Sequence, residues 1–238
     1  MASATETTPL PTAGPPPAGG GEARVLLRDV GWEGYQDLIE RSGDGGRRMS
    51  YLDGSVEQMT IGPRHEGYKR ILARMIDYII MELGIATWPL GSTTFQRASN
   101  RRGVEPDDCY YLASMDGLAE YLAGPTRDSE DAPVDLDLAP PPDLVVEVEL
   151  SSPLLDKLAI YAGLGVPELW RYDGRRFRIL LLQPDGSYAE SSVSRAFPFL
   201  PVAGFGQHLA AYDPRQEITW VRAYRDWVRE VVAPLYQP

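Results

Sequence analysis

Residues 49–61 hold two short mixed runs on either side of Asp53-Gly54, a residue pair that favours a tight reverse turn, so a β-hairpin is predicted there. Beyond it, Tyr68, Ile71, Leu72, Met75, Ile76, Ile79, Ile80 and Leu83 recur at helical spacing and trace one broad apolar stripe. Gly84 is placed to cap that helix. Strands are predicted through Thr93, Thr94 and Phe95 and over residues 107–112. Residues 143–150 alternate most cleanly: Leu144, Val146, Val148 and Leu150 share one face, and Asp143, Val145, Glu147 and Glu149 share the other. A helix should follow, with Ser152 as N-cap, Pro153 at its first position, a packing side of Leu154, Leu155, Leu158, Tyr161 and Ala162, and Gly163 and Gly165 at its end. Runs at 166–172, 176–182 and 188–193, separated by Asp173-Gly174 and Asp185-Gly186, predict a β-meander. Trp220, Tyr224, Trp227 and Val231 mark a closing amphipathic helix. Hairpins outnumber βαβ units, which predicts an α+β fold, or an α/β fold with a mixed sheet.

Residues 1–21 are Pro-, Gly-, Ala- and Thr-rich with Glu6 as their only charge, and they predict a flexible leader with no core of its own. Residues 22–238 carry no second linker, so one domain is expected, its structured part starting near Val25 or Trp32. One cysteine, Cys109, excludes an internal disulfide framework and a thiolate zinc site, and the two histidines, His65 and His208, argue against a multi-histidine cage. No apolar run approaches the roughly 20 residues of a membrane helix. No basic segment followed by an apolar stretch opens the chain, so a cytoplasmic protein is expected.

The net charge of −11 is unevenly spread. Residues 105–149 contain 13 acids and one base, Arg127, a local −12, so the remainder is about +1. An acidic mean field disfavours binding a polyanion, whereas gathered carboxylates can hold a divalent cation that reverses the local field. The run from Asp128 to Asp137 reads as a solvated acidic loop.

The phosphate loop, the dinucleotide glycine fingerprint and the G-x-S-x-G elbow are all missing from the sequence. Cys109, with no histidine beside it in the chain, reads as a small buried strand residue. What remains is a set of carboxylates at the ends of two predicted strands. Asp107 follows Pro106, and Glu147 and Glu149 project from one face of a strand otherwise built for burial. Buried carboxylates are costly unless paired or bound to metal, and two on one face repel each other, which asks for a cation between them. An oxygen-only set of this kind suits Mg²⁺ or Mn²⁺. Lys157, in the following helix, is placed to reach back over the strand end. The alternative is a solvated sheet face on which Lys157 only pairs with a glutamate.

Pro106-Asp107, Glu147 on an apolar strand and then Lys157 resemble the core of the PD-(D/E)XK nuclease superfamily, and the chain more closely resembles the Uma-type family of predicted restriction endonucleases. The likeness extends from about Tyr51 to Trp170. It includes Asp53-Gly54, His65-Glu66, Gly91-Ser92-Thr93-Thr94, Glu105-Pro106-Asp107-Asp108, Pro142-Asp143-Leu144-Val145-Val146-Glu147-Val148, Lys157, and Gly165-Val166-Pro167-Glu168-Leu169-Trp170. This resemblance implies a restriction-endonuclease-like core, a four-stranded mixed sheet flanked by helices, with metal-dependent cleavage of DNA phosphodiesters. By position, Asp107 and Glu147 match the family's metal ligands and Lys157 its lysine, with Glu149 standing where the superfamily carries a lysine and available as a third ligand. Glu66 matches a helical glutamate of many such nucleases, and His65 either orients that region or is structural. Arg97, Arg101 and Arg102 are candidate phosphate contacts. A homodimer is expected for cleavage of two strands. The alternative function is a nuclease-fold module without catalysis, serving binding or assembly.

Overall fold

The computed structural model describes residues 22–42, 47–125 and 132–237. The leader expected over 1–21 and residues 128–131 of the acidic run lie outside these. In chain order the first elements are β1 (Ala23–Leu27), α1 (Trp32–Ser42), β2 (Arg47–Leu52), β3 (Ser55–Thr60), α2 (Pro63–Leu83), β4 (Trp88–Pro89) and β5 (Phe95–Arg97). They are followed by β6 (Arg102–Val104), β7 (Asp108–Tyr111), α3 (Met115–Ala123), β8 (Val134–Asp135), β9 (Leu144–Val148) and α4 (Lys157–Leu164). The last are β10 (Glu168–Tyr172), β11 (Phe177–Leu182), β12 (Tyr188–Ser191), α5 (Val202–Ala210) and α6 (Glu217–Trp227), which runs on into a π-helical turn over Val228–Val232.

The strands form two six-stranded sheets, ordered β1-β3-β2-β6-β5-β8 and β12-β11-β10-β9-β7-β4. The second holds the expected mixed core as β11-β10-β9-β7, in which β9 and β10 are parallel and the other pairs antiparallel. It is wider than the four strands expected, because β12 continues the meander on one edge and the short β4 pairs with β7 on the other. All five residues of β9 are buried, since both faces of this sheet are covered. Leu144, Val146 and Val148 pack with α2, α5 and α6, while Val145 packs with Ile160, Tyr161 and Leu164 of α4 and with Phe95 and Val104 of the first sheet. The helix α4 thus lies between the two sheets. Among the described residues no helix is long and apolar enough to cross a membrane.

Local chemistry explains the main elements. Asp53 and Gly54 both take positive φ (44° and 83°), the backbone a two-residue hairpin turn requires. The predicted stripe of α2 buries Ile71, Leu72, Met75, Ile76 and Ile79, and Gly84 ends the helix in the left-handed conformation. The strand expected to include Thr93 and Thr94 begins only at Phe95. The closing helix faces inward with Trp220, Tyr224, Val228 and Val232, and Val231 is exposed.

The helix expected from Ser152-Pro153 begins instead at Lys157, capped by Asp156, whose Oδ1 accepts from Ala159 N at 3.1 Å. The distant Glu57 carboxylate accepts the amides of Leu154 and Leu155 at 2.8 and 2.9 Å, the donors a Ser152 cap would have served. The segment between β9 and α4 is therefore an irregular loop tied to β3. Glu168 at the head of β10 is wholly buried and structural. It accepts from Trp170 Nε1 (2.5 Å), Ser194 Oγ (2.6 Å), Arg195 N (2.6 Å) and Ala196 N (2.8 Å), pinning the loop after β12.

Candidate active site

The site grows from the register of β7 on β9. Asp108 pairs with Val146 and Cys109 with Val145, so one step further along this antiparallel register Asp107 stands across from Glu147. Facing residues on neighbouring strands hold their Cβ atoms about 5 Å apart. Both residues are almost fully buried, at 1% and 2% exposure. The helix α4 then places Lys157 and Tyr161, four residues apart and so on one face, over Glu147. Lys157 Nζ donates to Glu147 Oε2 at 2.8 Å, and the Tyr161 hydroxyl donates a short hydrogen bond to Oε1. Glu149 pairs closely with Arg171 of β10, while its Oε1 is buried with no hydrogen-bond partner among the described residues.

Asp107 is held from the other side. Its Oδ1 lies 2.7 Å from His65 Nε2, and its Oδ2 accepts from Val148 N at 2.8 Å. His65, buried in the first turn of α2, lies with its Nδ1 2.6 Å from Glu22 Oε1, and the imidazole is thus clasped between two carboxylates. Arg48 of β2 pairs with Glu105 and stands 3.9 Å from Asp107.

These contacts set the electrostatics. Burial works against the Lys157 ammonium, but the charges of Glu147, Asp107 and Glu149 outweigh it and raise its pKa. Burial raises Glu147 above the usual carboxylate range, opposed by Lys157 and reinforced by Asp107 and Glu149. For Asp107, burial is overcome by the hydrogen bond and charge of His65, then by Lys157 and the Val148 amide, and its pKa is lowered. Burial lowers His65, yet the hydrogen bonds and charges of Asp107 and Glu22 carry it up to about 9. The Lys157 ammonium thus sits among three carboxylates at the ends of two adjacent strands, while the His65 imidazolium supports Asp107 and the Arg171 guanidinium pairs with Glu149.

Of the residues singled out from sequence, Asp107, Glu147, Glu149 and Lys157 come together. Glu66 does not join them. Successive helical residues point about 100° apart. With His65 facing Asp107, Glu66 is left exposed, lining a groove of about 490 Å³ along the outer side of α2 with Lys69, Arg70 and Asp77. Among the arginines, Arg97 is spent on the carbonyls of Leu136 and Gly163, and Arg102 on Asp53 and the Asn100 carbonyl. Arg101 alone of the three is exposed. Cys109 is buried, and burial pushes its thiol up. Tyr161 was legible only as a packing residue, and Glu22 only as the first residue after the leader.

The donor set suits a hard divalent cation in type, since all three carboxylates supply oxygen and Glu149 Oε1 is a buried oxygen with no hydrogen bond. Among the described residues, however, no three histidine, cysteine, aspartate or glutamate side chains gather closely enough to hold an ion as they stand. Asp107 and Glu147 are engaged by His65, Val148, Lys157 and Tyr161 instead.

No curated protein matches the chain. A crystal structure of a putative nuclease belonging to DUF820, from Anabaena variabilis, aligns at 12% identity with a TM-score of 0.40, covering 73% of this chain and 90% of that one. Residues 32–211 match the Uma2 family, described as putative restriction endonuclease, and span Asp107, Glu147, Glu149 and Lys157 alike. The chain belongs to the Uma2 family, and its functional class is nuclease-like.

Proposed function

We propose that the chain hydrolyses DNA phosphodiester bonds with Mg²⁺ or Mn²⁺, as an endonuclease whose site is Asp107, Glu147, Glu149 and Lys157. The observation that carries this reading is the buried Lys157 ammonium amid three carboxylates on neighbouring strands. A buried cluster so rich in like charge is a poor stabiliser of a fold and a common sign of a functional site. Asp107 and Glu147 would hold the metal, with the unpartnered oxygen of Glu149 available to it. When bound, the metal polarises the phosphoryl group and acidifies a water. Lys157 offsets the charge that develops on the phosphate oxygens. Tyr161 keeps Glu147 oriented, and His65 keeps Asp107 oriented. Exposed Arg101 remains the candidate phosphate contact outside the cluster. On this reading two copies pair to cut both strands, and the chain works in the cytoplasm.

Supercoiled plasmid with Mg²⁺ or Mn²⁺ tests the proposal. Wild type nicks it, and Asp107→Ala and Glu147→Ala lose the nicking while retaining a wild-type circular dichroism spectrum. Equal nicking by all three proteins would remove the assignment. A second reading, a nuclease-fold binding or assembly module, is favoured by one observation: protein donors already occupy Asp107 and Glu147. Calorimetry separates the two, because that module takes up no Mn²⁺ at millimolar concentration.

A further inference from the structure

The strand β1 lies upstream of Trp32, where the family match begins, and it is an edge strand of the first sheet. Its N-terminal end nevertheless turns two charged side chains inward, Glu22 and Arg24, which are 3% and 6% exposed. One oxygen of Glu22 holds His65 Nδ1, and the other accepts from the Ser151 hydroxyl and from Arg24 at 3.3 Å. Arg24 donates from Nε to Ser151 Oγ at 2.9 Å and from its terminal nitrogens to the Ser151 carbonyl and to Glu57. Glu57 in turn holds the amides of Leu154 and Leu155. Two routes therefore leave this strand end. One runs through His65 to Asp107. The other runs through Ser151 and Glu57 to the irregular loop that delivers Lys157.

We propose that β1 is a strap that completes the site, with Glu22 and Arg24 as positioning residues: Glu22 fixes Asp107 through His65, and Arg24 fixes the Lys157 loop through Ser151 and Glu57. The proposal rests on the nuclease reading of Asp107 and Lys157. An imidazole held on one nitrogen only can turn about its side-chain bonds, and Glu22 supplies the second hold that keeps Nε2 on Asp107. An irregular loop has no backbone ladder to fix it, and the Arg24 fork, donating to side chains and carbonyl together, substitutes for one. Partners that orient a ligand in this way alter metal affinity or activity by about 10–100-fold when removed.

Full-length Glu22→Gln, Arg24→Lys and Asp107→Asn test this, each measured for Mn²⁺ affinity by calorimetry, for kcat and KM in plasmid nicking, and for thermal midpoint. Glu22→Gln is close to isosteric, and Arg24→Lys keeps the charge while losing the fork, so both retain the fold. The expected result is a loss of about 10–100-fold in kcat for both, with KM for DNA unchanged, and Mn²⁺ affinity weakened about tenfold in Glu22→Gln. A role confined to stability would shift the thermal midpoint and leave kcat and Mn²⁺ affinity at wild-type values, which overturns the strap. Inactive Asp107→Asn beside fully active Glu22 and Arg24 variants overturns the strap and leaves the nuclease reading standing. Active Asp107→Asn removes the nuclease reading and the strap with it.

Discussion

Glu168 and Glu147 are both buried glutamates on neighbouring parallel strands, yet they are satisfied in opposite ways. Glu168 accepts four hydrogen bonds from neutral donors, two of them backbone amides, with no cation paired to it among the described residues. Glu147 shares its neighbourhood with Asp107 and Glu149 and depends on a lysine for compensation. Neutral, fixed donors make a carboxylate a structural staple, because nothing is gained by exchanging them. Like charges around a buried ammonium make a cluster whose balance a further cation can alter. Burial alone therefore does not distinguish the two glutamates; the chemistry of their partners does.

The largest effect that would break this contrast is at Lys157. Lys157→Met leaves Glu147 buried without its ammonium, beside an Asp107 still held by His65 and a Glu149 still paired with Arg171, so nicking should fall at least a hundredfold and stability at neutral pH by about 3–5 kcal/mol. Urea unfolding should show part of that stability restored by Mg²⁺, and restored again as the pH falls from neutral through the raised pKa of Glu147 toward the ordinary glutamate value of 4.5, below which the unfolded chain takes up the same proton and nothing more is gained. Removing the staple gives the complementary result. Glu168→Ala orphans four donors, and unfolding should show a loss of about 3 kcal/mol that Mg²⁺ does not restore.

A smaller effect separates the imidazole from the cluster it supports. The pKa of His65 is raised from 6.5 to about 9, so its contribution is fully present below pH 6.5 and is lost as the pH rises through about 9. In metal-free protein this amounts to about 3 kcal/mol at most, and denaturant melts across that window should show it in wild type and not in His65→Gln. The smallest effect is at His208, packed on the rings of Trp227 and Tyr224 at 4.9 and 5.4 Å and lowered by burial. There the sign reverses: stability is present above the usual histidine range and declines as the pH falls through it, and His208→Phe should flatten that limb of the thermal midpoint against pH.

Much of the architecture was legible because local chemistry decides it. Asp53-Gly54 forms its turn wherever it occurs between strands, the stripe of α2 has one face to bury, and the alternation of residues 143–150 separates Glu147 from Val146 and Val148 without any tertiary information. Asp107, Glu147, Glu149 and Lys157 were legible as chemistry out of place on apolar elements. What escaped depends on contacts between distant segments. The facing of Asp107 and Glu147 is a matter of strand register, which neither segment encodes alone. The late start of α4 follows from Glu57, a residue about a hundred positions upstream in the chain, taking amides the local sequence would have capped. The exchange of Glu66 for His65 turns on a single 100° step of helix phase. Glu22 was unreadable for the same reason: its partners are His65 and Ser151, and nothing beside it in the chain announces them.

The strand β9 lies between β7, made before it, and β10, made after it. Its pairing with β10 joins parallel strands across the whole α4 crossover, so Glu147 is enclosed only after the later strand has been synthesised and docked. A nascent chain that ends before β10 consequently carries Asp107 and Glu147 without the strand that closes the sheet beside them. The cluster of Asp107, Glu147 and Lys157 is therefore a product of the completed sheet and not of any one segment of the chain.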